Sequence, residues 1–257
     1  MRVTRLVKGL CFLAASIGFS LYGQSQTSTS AILQTSPPSS GGYVKDRGAS
    51  RVIVFVHGLW SSPDAWRCDG DHYWPTMIAN DSNPVFADTD IYVVGYPTPT
   101  KHGKMTVGDL DSVIMNRLDA DGVFSRHNEV IFVAHSLGGI LTQQLLLTYR
   151  DKELFKKVSL IFLYGTPQEG SKLANLGKIF NADPLLKELQ AGEGNFILHD
   201  LDAKWLHAGF DSIRRFCVYE TNPEGPAKVV DMYSATRGCL DTLAAAGDHQ
   251  KLSLIHI

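Results

Sequence analysis

Residues 130–139 read Val-Ile-Phe-Val-Ala-His-Ser-Leu-Gly-Gly, and this segment restricts the chain to few architectures. A run of β-branched and aromatic residues halts at Ser136. Two glycines follow, and an apolar helical pattern then occupies residues 140–149. A strand that turns sharply into a helix at a serine presents the hydroxyl as a nucleophile at the edge of a sheet. The turn strains the serine backbone, so the residues two before and two after it must be small. Ala134 and Gly138 hold those positions. Glycine is usual at both, but a methyl at the first still fits.

Six short apolar runs fit strands buried on both faces, because most are continuous rather than alternating. They are Arg51–Val56, 91–96, 130–134, Val158–Tyr164, 216–219 and 229–233. Helical periodicity lies between several of them. In residues 106–118, Val107, Leu110, Val113, Ile114 and Leu118 share one face. This alternation predicts an α/β fold with a mainly parallel sheet of about six strands flanked by helices. Ligand chemistry then belongs at the C-terminal ends of the strands. The longest insertion, 170–211, has apolar residues spaced by three and four, which predicts two or three helices near the active-site edge. They either pack in place or close over an apolar substrate.

With 257 residues and 44% hydrophobic content, one α/β domain over residues 51–251 is expected. The net charge of −2, without a Lys/Arg stripe, excludes a nucleic-acid partner from the expectations. There is no P-loop, no GxGxxG and no zinc-like Cys/His spacing. Arg2, Arg5 and Lys8 precede an apolar stretch, 10–22, that is short for a membrane span. Residues 1–23 therefore read as a signal peptide that exports the protein to the periplasm or medium, with a membrane anchor as the alternative. Residues 24–50, rich in Ser, Thr, Pro and Gly, read as a flexible linker. Beyond Cys11, the chain holds Cys68, Cys217 and Cys239. An exported protein can use one disulfide, Cys217 with Cys239 for instance, and buried free thiols are the equal alternative. Residues 252–257, Leu-Ser-Leu-Ile-His-Ile, match a translation of a common transposase sequencing adapter and are expected to be a non-native tail. His256 accordingly receives no role.

Ser136 needs a base, because a free hydroxyl is a poor nucleophile at neutral pH. In this kind of fold the chain order is nucleophile, acid, histidine. Downstream of Ser136 stand His199, His207, His249 and His256. His249, in Gly247-Asp248-His249 after the last predicted strand, is the expected base, while His199 and His207 fall in the insertion. A carboxylate must orient the imidazole and stabilise its charge. Glu220, at the end of the fifth predicted strand, suits that role, with Asp241 and Asp248 as alternatives. Asp231 lies inside a predicted strand and does not. Two backbone amides should hold the oxyanion: Leu137, directly after the nucleophile, and Leu59, in the loop His57-Gly58-Leu59-Trp60. Gly58 lets that loop pass close by. His57 and His135 are expected to brace these loops. Trp60, Trp66 and Trp74 either line an apolar cleft or pack in the core.

These segments resemble an α/β-hydrolase. More narrowly, the chain is similar to the serine esterases and lipases that include the GPI inositol-deacylase-like proteins. The likeness rests on Phe-Val-His-Gly-Leu-Trp-Ser-Ser-Pro-Asp-Ala-Trp at 55–66, Gly95-Tyr96-Pro97, the elbow at 132–139, and Leu-Tyr-Gly-Thr-Pro-Gln-Glu-Gly-Ser at 163–171. Tyr219-Glu220-Thr221 and Asp248-His249 extend it, so it covers about residues 51–250. Ala134 departs from the first elbow glycine, and Gln168 stands where the common form has His. The resemblance implies hydrolysis of carboxylic esters, often acyl lipids, with no cofactor and no metal. The implied partner is a small-molecule or lipid ester, with association at a membrane surface. Oligomeric state is not encoded in these motifs. Two other functions fit the residues: an acyltransferase with the same triad, and a non-enzymatic binding protein on a hydrolase scaffold.

Overall fold

The computed structural model describes residues 40–67, 72–98, 105–169, 185, 188, 196–222 and 230–246. Seven strands make one sheet in the order β1-β3-β2-β4-β5-β6-β7. These are β1 (Gly41–Lys45), β2 (Arg51–Val56), β3 (Thr89–Val94), β4 (Glu129–His135), β5 (Val158–Tyr164), β6 (Arg214–Glu220) and β7 (Asp241–Ala245). β1 runs antiparallel to β3, and every other pair is parallel.

Continuous apolar strands arise because both faces of the sheet are covered. Val52, Val54 and Val56 of β2 face one buried cluster, while Ile53 and Phe55 face the other. β4 divides in the same way, with Val130, Phe132 and Ala134 against Ile131 and Val133. On the first face lie α2 (Val107–Ala120), α4 (Leu137–Thr148) and α5 (Phe196–His207). On the second lie α1 (Trp74–Asn80) and a 3₁₀ turn, Pro63–Trp66. The short α3 (Val123–Arg126) follows α2, and α6 (Met232–Thr236) follows β6. Trp66 and Trp74 are fully buried around Phe55, with ring centroids 5.0 and 5.3 Å from it, so both are core residues.

α2 starts where a capping box permits it. The Thr106 hydroxyl accepts from the Asp109 N–H at 3.1 Å, and the Asp109 carboxylate accepts from the Thr106 N–H at 2.9 Å. The buried stripe is Val107, Leu110, Ile114, Met115 and Leu118, joined by Asp111. Val113, expected on that face, is only partly buried. Burial pushes the Asp111 carboxyl up to about 6, and a hydrogen bond with Thr148 opposes the shift. A carboxyl whose folded pKa is raised gives stability that is complete at low pH and lost as pH climbs through the folded value. The expected loss between pH 4 and pH 7 is about 2 kcal/mol. Asp111→Asn should remove that slope and stabilise the protein at pH 8. Urea unfolding at both pH values checks this, and an unchanged slope would contradict it.

Three sequence expectations need correction. First, the sheet, with seven strands among the described residues and in keeping with the about six expected, begins upstream of Arg51. Gly41–Lys45, within the expected linker, forms the antiparallel edge. Its pairing comes from the β3 ladder and from Tyr43 packed edge-on against Tyr92 at 4.9 Å, not from an apolar run. Second, within the expected strand 229–233, the described residues 230–233 form no strand. Asp231 caps α6, its carboxylate accepting the Ser234 N–H at 2.9 Å. Val230 packs with Ala235 and Tyr219 in a small separate cluster, so the apolar run marks a packed connection. Third, the last strand is β7, whose half-exposed Asp-Thr-Leu-Ala-Ala carries little apolar signal. A disulfide joins Cys217 on β6 to Cys239 just before β7. The insertion delivers α5, and Leu185, Leu198, Leu201 and Trp205 enter the core beneath it.

Candidate active site

The parallel registers set Ser136 and Glu220 near one level. His135 pairs with Tyr164, Tyr164 with Val218, and Val218 with Leu243. Ser136 is therefore one step beyond this row and Glu220 two steps beyond it, both at the C-terminal edge. Asp241 pairs with Phe216, and Phe216 with Phe162, in the row of Val133. That is three residue steps, about 10 Å, below Ser136. There its carboxylate pairs with the Arg214 guanidinium at 2.6 Å. Asp241 thus opens β7 instead of lying in a loop, and it is bound at the wrong edge to orient a catalytic histidine.

Ser136 holds φ 53° and ψ −122°, which a non-glycine residue adopts only at a cost. Its surroundings enforce the turn. The Ser136 N–H donates to the Tyr164 carbonyl at 2.8 Å, and its carbonyl accepts from the Gly139 N–H at 3.0 Å. A Cβ at Gly138 would lie 2.4 Å from the carbonyl oxygens of both Val56 and His57. A Cβ at Gly139 would lie 2.0 Å from Thr166 Oγ1. Both glycines therefore let the elbow and α4 settle against β2 and the segment after β5. Leu137 begins α4, so its N–H has no acceptor within the helix, and the helix N-terminus carries partial positive charge.

The loop after β2 passes beside the elbow. A Cβ at Gly58 would stand 3.1 Å from Ser136 Cβ and 3.0 Å from His135 Nδ1. Leu59 follows at once and packs on the core, and Trp60 takes φ 52° with 44% exposure. Trp60 is accordingly the tryptophan of the three that reaches the surface. His57 is fully buried and stacks flat on Tyr96, with centroids 4.1 Å apart. Burial pushes its pKa down to about 4, beyond the opposing bond with the Gly58 carbonyl. A ring that stays neutral through the working range and lies in this stack braces the loop. The Tyr96 hydroxyl donates to the His57 carbonyl at 2.5 Å and completes the brace. Sequence reasoning singled out Gly95-Tyr96-Pro97 as a motif but assigned Tyr96 no task. Tyr96→Phe should cost about 0.5–1.5 kcal/mol of stability. If the Leu59 amide holds the oxyanion, the change should also lower kcat more than it raises KM, because this loop carries that amide. Chemical unfolding and steady-state kinetics check both parts.

Glu220 is fully buried, and its Oε1 accepts the Val230 N–H at 2.7 Å. The Thr221 N–H and hydroxyl both donate to the Ala245 carbonyl, at 3.1 and 2.9 Å, which fastens the ends of β6 and β7 together. Gln168 is also buried. Its side-chain amide donates to the Arg237 carbonyl at 2.7 Å, tying the segment after β5 to the end of α6. Arg237 in turn pairs with Glu169 at 2.6 Å and with Asp202 of α5 at 2.9 Å. His207 is exposed at the last turn of α5, and His199 lies on the same helix. Asp248, His249 and His256 lie outside the described residues.

The sequence pattern of the Alpha/beta hydrolase family matches residues 53–251. The chain belongs to that family. Solved structures agree on the fold of this alpha/beta hydrolase. It is similar to the mature lipase BlEst2 of Bacillus licheniformis, with TM-score 0.60 and 18% identity over 81% of this chain and 88% of that one. It is similar to a carboxylesterase of the thaumarchaeon Nitrososphaera gargenis, with TM-score 0.54 and 12% identity, covering 85% and 91%. The phospholipase PlaB of Legionella pneumophila gives TM-score 0.53 and 20% identity, covering 67% of this chain but 38% of PlaB. No curated protein matches the sequence.

Proposed function

We propose that this alpha/beta hydrolase cleaves carboxylic esters through an acyl-enzyme on Ser136, with His249 as base and Glu220 as the orienting acid. The observation that carries this reading is the left-handed Ser136 backbone at the mouth of α4, with the Gly58 loop set against it. His249 is four residues past Ala245, which pairs with Glu220. Chain length therefore keeps it within about 14 Å of that strand end.

In the reaction, Ser136 Oγ attacks the ester carbonyl carbon while His249 takes the hydroxyl proton. The carbonyl electrons move to oxygen, where the Leu59 and Leu137 amides stabilise the charge, each contributing about 2.7–4 kcal/mol. The intermediate collapses with loss of the alcohol, which takes the proton from His249. Water then attacks the acyl carbon, His249 accepts its proton, and the acid leaves as Ser136 regains a hydrogen.

The narrower likeness to GPI inositol-deacylase-like proteins rests on the motif segments and points to acyl esters. The exposed Trp60 beside the oxyanion loop supports an apolar acyl group and contact with a lipid surface. The Cys217–Cys239 disulfide suits an oxidising compartment and supports export directed by residues 1–23. A panel of p-nitrophenyl esters of rising acyl length, with and without an added alcohol, tests the function. Release of free acid that peaks at one acyl length is expected. An ester product made preferentially from the added alcohol would identify an acyltransferase, and inert esters with a folded protein would favour a binding role.

A further inference from the structure

A recess lies at the edge of the sheet opposite to Ser136. It encloses about 550 Å³ between the end of α5 and the N-terminal ends of β5 and β6. That volume falls in the range of small-molecule sites, about 300–1,000 Å³. Trp205, Leu206, Phe210, Ile213 and Leu240 give it apolar walls. Leu206 and Leu240 are 68% and 100% exposed, so apolar surface continues out of the recess. Arg215 pairs with Ile161, and Ile161 with Phe132, which sets it four residue steps, about 13 Å along the strands, below Ser136. The recess is separate from the catalytic edge.

Arg215 also lines this recess and faces α4 and α5. Its guanidinium lies over the Trp205 ring at 4.9 Å. A Cβ at Gly238 would come within 2.5 Å of Nη2, so only a bare backbone fits on that side. Nη1 donates to Gln143 Oε1 at 3.3 Å, a long bond to a neutral acceptor. Among the described residues no carboxylate stands within ion-pair distance of Arg215. Asp202 is nearby in charge, but its carboxylate is engaged by Arg237 at 2.9 Å. Arg214 is engaged by Asp241 at 2.6 Å, and Asp211 is exposed to water, which weakens its field in the recess. Burial lowers the Arg215 pKa to about 10, and the group remains charged at neutral pH. A half-buried guanidinium has five donors, and one is used here. Carboxylate is the partner whose two oxygens fit the unused fork.

We propose that this recess binds an aliphatic carboxylate, its head on Arg215 and its chain along Trp205, Phe210, Ile213 and Leu240. This site does not depend on the proposed ester hydrolysis, although that reaction releases acids of the same class.

The test uses the full chain and a ten-carbon fatty acid bearing a diazirine on its alkyl chain. After irradiation, the labelled residues are located by peptide mass spectrometry. Labels are expected within 205–215 and 238–240, competed by decanoate but not by decanol. Arg215→Met should weaken labelling by about 10- to 100-fold. If that variant does not fold, Leu240→Glu changes a fully exposed position and should weaken labelling by placing a second negative charge at the recess. Labels confined to other segments, equal competition by decanol, or undiminished labelling in the folded variants would overturn the proposal. None of these results bears on whether Ser136 hydrolyses esters.

Discussion

Ser136→Ala is expected to lower kcat for ester hydrolysis by about 10⁴- to 10⁶-fold while the protein remains folded. The change removes one oxygen from a residue that is 8% exposed. The fold around it is carried by other atoms: the amide bond to the Tyr164 carbonyl, the Gly139 amide on the Ser136 carbonyl, and the close seats of Gly138 and Gly139. Alanine keeps all of these. The left-handed backbone is unfavourable for either residue, so the strain hardly changes. Residual turnover should reflect substrate binding and the two amides proposed to hold the oxyanion, those of Leu59 and Leu137. Thermal unfolding beside single-turnover kinetics separates lost chemistry from lost structure. A folded variant with near-normal kcat would place the nucleophile elsewhere.

Glu220→Gln should be nearly as severe, at about 10⁴-fold in kcat, if this carboxylate holds the imidazole in its working tautomer and stabilises its positive form. Glutamine preserves length, and its carbonyl oxygen can still accept the Val230 N–H that Glu220 Oε1 takes at 2.7 Å. The connection to α6 should therefore survive, and the loss should appear in kcat rather than in folding. Asp241→Asn is the matched control. Its partner Arg214 is at the other edge of the sheet, and both side chains are at least one-third exposed. Such a pair contributes about 0–1 kcal/mol to stability, and turnover should be unchanged. An unaffected rate in Glu220→Gln would shift the acid role to Asp248.

The elbow was legible because its chemistry is local. A strand, a serine and small residues at fixed offsets leave the backbone one turn to make, and Ser136 makes it. β2, β4 and β5 were legible because strands buried on both faces need apolar residues at every position. The two edge strands give a weaker signal. Gly41–Lys45 and Asp241–Ala245 are held by ladders with β3 and β6, and pairing with a distant segment leaves little trace in composition. Missing β7 also displaced Asp241, which appears catalytic in a loop and structural at a strand start. Residues 229–233 failed for the reverse reason: Val230 is apolar because it packs under Tyr219, not because it extends a sheet. Asp111 violates the helix pattern outright, since no periodicity rule places a carboxyl in a buried stripe. Tyr96 was visible as part of a motif, but its task depends on a stack and a hydrogen bond with His57, a contact across 39 positions.

The most direct measurement of the central claim is fluorophosphonate labelling followed by peptide mass spectrometry, on the unaltered protein and on His249→Ala. One phosphonyl group is expected on Ser136 in the first, with the labelling rate depressed by at least about 10²-fold in the second. An unlabelled Ser136 in folded protein, or equal labelling in both proteins, would contradict a serine activated by His249.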